Sequence, residues 1–317
     1  MVAAKIAVVV VNWEQAERSL RCLRSVQAAP EAELLLILVD NGSAQDLAEI
    51  RSSVPTAHVL RLESNRGYAA GCNAGAQHAT SLGATHLLFL NNDASLEAST
   101  LTAFMSAAAI HPDAILAPKI VYADHPERVW SAGGALRRPW MENHHIGRDE
   151  PAASHSISRR VDWATGCAFF CAVETYERVG RLDEGFFLYL EDLDWCLRAA
   201  RRRVEVWYIP EAVVQHEVSA TTRHLPRPEV LYYGCRNTYR VAFRHNGRWR
   251  RFAMLPGFLI TLARVAGRNA TSSSYRRDAF YRARSLAILD FALGRTGACP
   301  ASVPGVGAVP AAHGAKA

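Results

Sequence analysis

The apolar positions of the first hundred residues follow two rhythms that take turns. "KIAVVVVNW" is a continuous, β-branched run that closes on Asn12. "EQAERSLRCLRSVQAA" follows, with Ala16, Leu20, Leu23 and Val26 near helical spacing, which predicts an amphipathic helix. "ELLLILVDNGS" is a second continuous run, ending in Asp40. A short helix near residues 44–52, a strand "HVLRL", a helix near residues 68–81 and a strand "HLLFL" complete the series. Uninterrupted apolar strands alternating with helices predict a parallel sheet covered on both faces. Ligands bind such sheets beyond the carboxyl ends of the strands. Asn12, Asp40, Glu63 and Asn91 to Asp93 close these strands and are therefore expected to share one edge.

After residue 112 the alternation weakens. "AILAPKIVY" and "VWSAGGAL" predict strands, and residues 137–158, rich in His, Arg, Asn and Ser, predict a loop. "RRVDWATGCAFFCAV" predicts one further strand, "EDLDWCLRAARRR" a helix, and "EVWYIP" a buried strand ended by Pro210. From about residue 226 the chain is mainly helical, in "PEVLYYGCRNTYRVAFRH", "WRRFAMLPGFLITLARVAG" and "YRRDAFYRARSLAILDFALG". The stretch from Thr296 is Gly, Ala, Pro and Val with almost no charge, which predicts a disordered tail. The expected division is 1–225 for the α/β domain, 226–295 for a helical region and 296–317 for the tail.

Composition narrows the class. The chain has 317 residues, 50% hydrophobic and 21% charged, which is ordinary for a protein with a large core. Its net charge of +6 and pI near 9.0 suit an anionic partner such as a nucleotide or a phospholipid surface, and equally a mildly basic surface with no specific partner. The seven cysteines include no C-x-x-C pair, so zinc-ligand spacing is absent and reduced thiols in a cytoplasmic protein are expected. No signal peptide is visible in "MVAAKIAVVVVNW". No uninterrupted run reaches the roughly 18 apolar residues that suggest a membrane span.

Each candidate motif has a structural and a functional explanation. In "ESNRGYAAGCNAG", Gly67, Gly71 and Gly75 are spaced by four and fall on one helix face. They permit close approach to a strand or to a ligand, and free N–H groups at a helix start can hold phosphate. The glycine spacing and its place after the third strand exclude a dinucleotide fingerprint. Asp40 before "NGS" either caps a turn or accepts a hydrogen bond from a base or ribose. Asp93 either caps a helix starting near Leu96 or ligates a hard cation together with a diphosphate. In "FFLYLEDLDWCLR", Asp194 can pair with Arg198 at i,i+4. Glu191 and Asp192 lie directly after an apolar segment, where raised pKa values suit general-base work. His216 is either a metal ligand or a satisfied core histidine.

Taken in order, "VVVVNW", "VDNGS", "NRGYAAGCNAG", "FLNNDA", "VDWATGCAFF", "DEGFFLYLEDLDWCLR" and "HEVSAT" resemble the family 2 glycosyltransferases of the GT-A fold, in particular the bacterial rhamnosyltransferase-like branch. The resemblance covers roughly residues 5–245. It implies a Rossmann-like, mostly parallel sheet with flanking helices and a helical C-terminal extension. It implies inverting transfer of a sugar, best L-rhamnose from dTDP-L-rhamnose, to an acceptor hydroxyl in cell-surface polysaccharide or lipid-linked glycan synthesis. The family pattern assigns Asp192 as general base with Glu191 supporting it. It assigns Asn12, Asp40, Asn65, Gly67, Asn73 and Asn92 to the nucleotide, Asp93 and His216 to a divalent metal (Mg or Mn), and Trp163, Thr165 and Gly166 to the sugar or acceptor. Arg236, in "YYGCRNTYR", is expected at the acceptor. Asn91 stands where the family motif often has Asp, so one charge fewer is expected to weaken metal binding before the nucleotide arrives.

Expected partners are a nucleotide-diphosphate sugar, a glycan or lipid-linked acceptor, a possible homodimer mate and no nucleic acid. The apolar helix with basic ends at residues 249–267 suits peripheral contact with the inner face of the cytoplasmic membrane. Alternatives are a hexosyl or galactofuranosyl transferase using a UDP-sugar, an inactive nucleotide-sugar-binding module, and a nucleotidyltransferase. The last normally carries a Gly-rich, basic loop after the first strand, where this chain has "NWEQAE".

Overall fold

The β-branched runs pair side by side and the amphipathic segments cover them. The structure is a computed structural model and describes residues 4–28, 33–138, 140–217 and 227–303. The first elements are β1 (Ile6–Asn12), α1 (Ala16–Gln27), β2 (Leu34–Asp40), α2 (Ala48–Ser53), β3 (His58–Arg61), α3 (Tyr68–Ser81) and β4 (His86–Asn91). These strands are parallel in the spatial order β4-β1-β2-β3. Their register aligns the carboxyl ends: Asn12 stands opposite Asp40, Asp40 opposite Arg61, and Val11 opposite Asn91. The shared polar edge expected from the strand ends is therefore formed.

The next elements are β5 (Ala94–Leu96), α4 (Thr100–Ile110), β6 (Ile115–Tyr122), β7 (Val129–Ser131), β8 (Gly134–Arg137), β9 (Glu142–His145), β10 (Arg159–Val161) and β11 (Ala168–Ala172). They are followed by α5 (Val173–Val179), α6 (Glu191–Arg201) and β12 (Val206–His216). Strand β11 joins antiparallel to β4, and the sheet continues through β6, β12 and β10, with β5 on β12 and β7 on β6. The result is a mixed sheet of ten strands among the described residues.

Four expectations are corrected here. No helix starts near Leu96: residues 94–96 pair with β12, and the helix begins at Thr100. Pro210 does not end its strand, because β12 runs on to His216 past a register shift between Ile209 and Val213, where a missing N–H is tolerated. Residues 137–158 are not all loop, since β8 and β9 form a hairpin. "RRVDWATGCAFFCAV" makes two strands, β10 and β11, separated by the turn that carries Trp163 to Cys167.

The core is continuous and apolar. Phe104 stacks on Phe170, and Phe89 on Phe169, beneath fully buried β-branched and leucine side chains. Helix α3 lies against β1 and β2 through its small face. A Cβ at Gly71 would stand 2.6 Å from Val11, and one at Gly75 would collide with Val9. Those two glycines therefore serve close helix–strand packing.

The chain divides into two compact units, residues 1–223 and 224–317. The second holds α7 (Pro228–His245), α8 (Arg248–Thr271), α9 (Ser273–Arg277) and α10 (Ala279–Ala292). Its small core joins Phe258, Val265 and Ile288 to Tyr239, Phe243 and Phe291. Residues 296–303 are folded rather than disordered: Cys299 and Val303 are buried, and Gly297 O accepts from Arg236 Nη1 at 2.8 Å. The remainder of the expected tail, 304–317, lies outside the described residues.

Candidate active site

The ends of β1 to β3 form one polar corner. Asn12 is fully buried; its Nδ2 donates to Asp40 Oδ1 at 3.2 Å and to Ser43 Oγ at 3.1 Å. Its Oδ1 accepts from Ser19 Oγ at 2.8 Å, and Ser19 Oγ accepts in turn from Asn92 Nδ2 at 3.2 Å. This chain of bonds ties the ends of β1, β2 and β4 together. Asp40 Oδ2 has no hydrogen-bond donor and faces Arg61 Nε at 3.3 Å. Beside it a cleft of about 330 Å³ is lined by Gly42, Ser43, Arg61, Leu62 and Glu63. A buried carboxylate with one oxygen that receives no hydrogen bond, beside an open cleft, is an acceptor suited to a base or sugar hydroxyl. Asn65 Oδ1 closes this corner, accepting from Asn41 Nδ2 at 3.0 Å and from Gly67 N at 2.9 Å.

Asn73 lies deeper than the family pattern suggests. Its amide donates to Leu182 O and Glu184 Oε1, and accepts from Tyr176 OH and Leu182 N. All four hydrogen-bonding positions of the side chain are used. Asn73 therefore ties α3 to the segment before α6, with no group left for a nucleotide. Gly67 has φ +88°, and a Cβ there would stand 2.7 Å from Phe187 Cα and closer still to Phe187 O. Tyr68 N donates to that same carbonyl at 2.7 Å. The start of α3 is thus a seat for the segment that leads into α6.

That segment is strained. Phe187, Tyr189 and Leu190 have φ of 66°, 65° and 69°, a region that costs side-chain-bearing residues energy and that clusters at functional sites. It delivers Glu191 and Asp192 to the first turn of α6. Asp192 is half-buried; its Oδ2 accepts from Gly166 N and its Oδ1 from Leu193 N, both at 2.7 Å. Tyr68 OH fixes the same peptide from the other side by donating to Gly166 O at 2.6 Å. Burial raises the Asp192 pKa against the lowering effect of these N–H donors. Glu191 is buried, and its Oε2 has no hydrogen-bond partner. Burial raises its pKa first, and the charge of Asp192 adds to it. Asp194 is spent on Arg198, 2.9 Å away, as the i,i+4 spacing predicts.

Asp93 and His216, far apart in sequence, meet because β5 pairs with the end of β12. His216 stands opposite Ala94, and Glu217 N donates to Asp93 O at 2.8 Å. His216 Nε2 lies 3.2 Å from Asp93 Oδ1, a charge contact in which Oδ1 receives no well-directed hydrogen bond. Burial disfavours the imidazolium, but contacts with Cys167 and Asp93 outweigh it and push the pKa up to about 10. His216 Nδ1 is also without a hydrogen-bond partner. Asp93 Oδ1 and His216 Nε2, 3.2 Å apart, fit two positions of a divalent ion once the ion displaces the imidazole proton. No group of three His, Cys, Asp or Glu able to hold a metal occurs among the described residues, so phosphate oxygens and water would complete the shell. Arg18 Nη1 approaches Asp93 Oδ2 to 3.9 Å.

Rings connect this pair to Trp163. His216 packs edge-on against Trp130 at 4.6 Å between centroids, Trp130 contacts His145 at 4.3 Å, and His145 contacts Trp163 at 5.1 Å. Trp163 is buried against Gly134, and Thr165 Oγ1 accepts from Cys167 N at 3.3 Å, shaping the turn that offers Gly166 N to Asp192. Arg236 is buried within the helical unit and donates to Asn237 Oδ1, Tyr232 OH and Gly297 O. Ser19, Ser43, Arg61 and Tyr68 take part in the site although their signals in the sequence are weak. Ser43 and Tyr68 lie inside the "VDNGS" and "NRGYAAG" stretches, and Arg61 ends β3. Ser19 on α1 has no local signal.

The family model for glycosyl transferase family 2 matches residues 7–173. The chain is 25% identical over 270 residues to the N-acetylglucosaminyl-diphospho-decaprenol L-rhamnosyltransferase of Mycobacterium tuberculosis, covering 77% of this chain and 86% of that protein. It is 20% identical to the dTDP-rhamnosyl transferase RfbF of Shigella flexneri, covering 74% and 79%. Among solved structures it resembles S. aureus TarS 1-349, with TM-score 0.53, 14% identity and 92% of each chain covered. It also resembles GalNAc-T7 with UDP, GalNAc and Mn2+, with TM-score 0.56 and 17% identity. That match spans 71% of this chain and 45% of GalNAc-T7. The fold is GT-A. The chain belongs to glycosyl transferase family 2.

Proposed function

We propose that this family 2 glycosyltransferase moves a sugar, L-rhamnose from dTDP-L-rhamnose, onto an acceptor hydroxyl with inversion, with Asp192 as the general base. The observation that carries this reading is the Asp192 carboxylate. It is half-buried, held at both oxygens by backbone N–H groups, and delivered by a strained segment. Burial raises its pKa toward the operating range of a base. It accepts the proton of the acceptor hydroxyl as the acceptor oxygen bonds to the anomeric carbon and the bond to the diphosphate breaks. No enzyme nucleophile is needed for this single displacement. Glu191, buried next to it in the chain, supports it.

Asp93 and His216 would hold the divalent metal, and the ion when bound would stabilise the leaving diphosphate. Asp40, set in place by the buried Asn12, and the cleft along Gly42, Arg61 and Glu63 would take the nucleoside. Trp163, Thr165 and Gly166 would face the sugar or acceptor. The rhamnosyl donor is supported by the M. tuberculosis and S. flexneri relatives, and the name of the first supports a lipid-linked diphosphate acceptor.

Incubation with dTDP-L-rhamnose and with UDP-sugars, with and without Mg2+ or Mn2+, tests the reading. Transfer from dTDP-L-rhamnose with inverted anomeric configuration by NMR is expected. Preference for a UDP-sugar moves the donor assignment. If no donor is consumed, or if Asp192→Asn leaves turnover unchanged, the reading fails. Nucleotide binding by calorimetry without turnover would make the chain a binding module.

A further inference from the structure

Helix α8 carries two apolar faces, and its own unit covers one of them. Met254, Phe258 and Val265 are buried against the small helical core. On the other side Trp249 is 86% exposed, Phe252 62%, Leu255 40%, and Leu259 and Ile260 52% each. At about 100° per residue these five side chains fall within an arc of about 140°, away from the buried three. The same 24 residues contain Arg248, Arg250, Arg251, Arg264 and Arg268 and no Asp or Glu. By the same geometry Arg248 falls inside the arc, Arg251 and Arg264 lie about 40° beyond its two edges, and Arg250 and Arg268 lie farther round. Among the described residues no helix is long and apolar enough to cross a membrane.

An exposed stripe of aromatic and aliphatic side chains costs free energy in water unless something covers it. A second copy of the chain docked through this face in an isologous dimer would set five arginines against five, with no acid on either helix to offset them. A bilayer with anionic headgroups matches both features, because it accepts the apolar arc and neutralises the arginines.

We propose that α8 lies in the plane of an anionic bilayer surface, with Trp249, Phe252, Leu255, Leu259 and Ile260 at the acyl boundary and the arginines among the headgroups. The inference rests on this helix alone and stands whether or not the acceptor is lipid-linked.

Cosedimentation of the full chain with vesicles tests it, with phosphatidylcholine alone or mixed with phosphatidylglycerol. Binding to the mixed vesicles is expected, weakened by high salt. A Phe252→Asp/Leu259→Asp double variant, its folding checked by thermal melting, should bind at least about tenfold more weakly. Arg248→Gln and Arg264→Gln should each weaken binding to the anionic vesicles by about fivefold and leave the neutral ones unaffected. Wild-type emission should shift to the blue on vesicle addition, and the shift should shrink in Trp249→Phe.

Failure to bind either vesicle, or unchanged binding by the double variant, overturns the proposal. So does a dimer in analytical ultracentrifugation that the double variant dissolves without any effect of vesicles. Vesicle binding is measured with no sugar donor present, so its failure is distinct from failure of the proposed transfer.

Discussion

Two parts of one sheet edge are built differently. At the ends of β1 to β3, most buried polar groups are tied to one another, Asn12 to Asp40, Ser43 and Ser19, and Asn65 to Asn41 and Gly67, while Asp40 Oδ2 has only the charge of Arg61 beside it. Toward β4, β12 and α6, unsatisfied atoms collect. Asp93 Oδ1, His216 Nδ1 and Glu191 Oε2 lack hydrogen-bond partners, and three side-chain-bearing residues before α6 have positive φ. A satisfied network holds its shape before a ligand arrives. Orphan acceptors and backbone strain are costs that persist where surrounding packing enforces them, and they mark where a reaction needs groups held ready. Under the proposed function, the first part would recognise the donor and the second would carry the chemistry.

The largest effect should come from the second part. Asp192→Asn should lower kcat by about 10² to 10⁴-fold while leaving nucleotide binding, measured by calorimetry, near the wild-type value. Equal losses in both would place Asp192 in recognition and collapse the distinction. Next, Gly67→Ala puts a Cβ into Phe187 at a backbone φ of +88°, at a cost of about 1–3 kcal/mol. Because Gly67 seats the segment that delivers Asp192, kcat should fall more than the donor KM rises. A lower melting temperature with kcat intact would separate that seat from the base.

The pH dependence should show the strain as well. Burial raises the pKa of Asp192, so the acid limb of kcat/KM should lie at higher pH than for an ordinary aspartate, with activity rising through it. For Glu191 the folded pKa is above the unfolded value. The folded chain therefore holds an extra proton across that window, and stability falls as pH rises through it. Glu191→Gln should flatten that slope in denaturant titrations from the ordinary carboxyl range upward, and an unchanged slope would show that Glu191 is not the group responsible. The smallest effect should be in the first part. Arg61 is half exposed beside Asp40, a setting worth about 0–1 kcal/mol, so Arg61→Ala should raise the donor KM by about fivefold or less at constant kcat.

The meeting of the β1 and β2 ends was largely legible in the sequence. Parallel strands of continuous apolar residues end in register, so Asn12 and Asp40 meet because their strands do. The helix over 68–81 and the acidic start of α6 follow from spacing and composition alone. The pairing of Asp93 with His216 was not readable locally. It depends on β5, three residues whose sequence also permits a helix start, and on β12 continuing past Pro210. The burial of Asn73 was hidden for a similar reason: the segment at Leu182 and Glu184 that saturates its amide is supplied by a distant part of the chain.

By itself the sequence determined the alternation of strand and helix, the residues at the carboxyl ends of the strands, and the apolar, arginine-flanked stretch that became α8. These are local matters of period, propensity and charge. Tertiary structure decided which polar groups are engaged and which are left unsatisfied. It turned Asn73 inward, set Gly67 beneath Phe187, held Asp192 with the Gly166 N–H and left one face of α8 exposed. Hydrogen-bond saturation and burial depend on partners distant in the chain, and no local pattern carries that information.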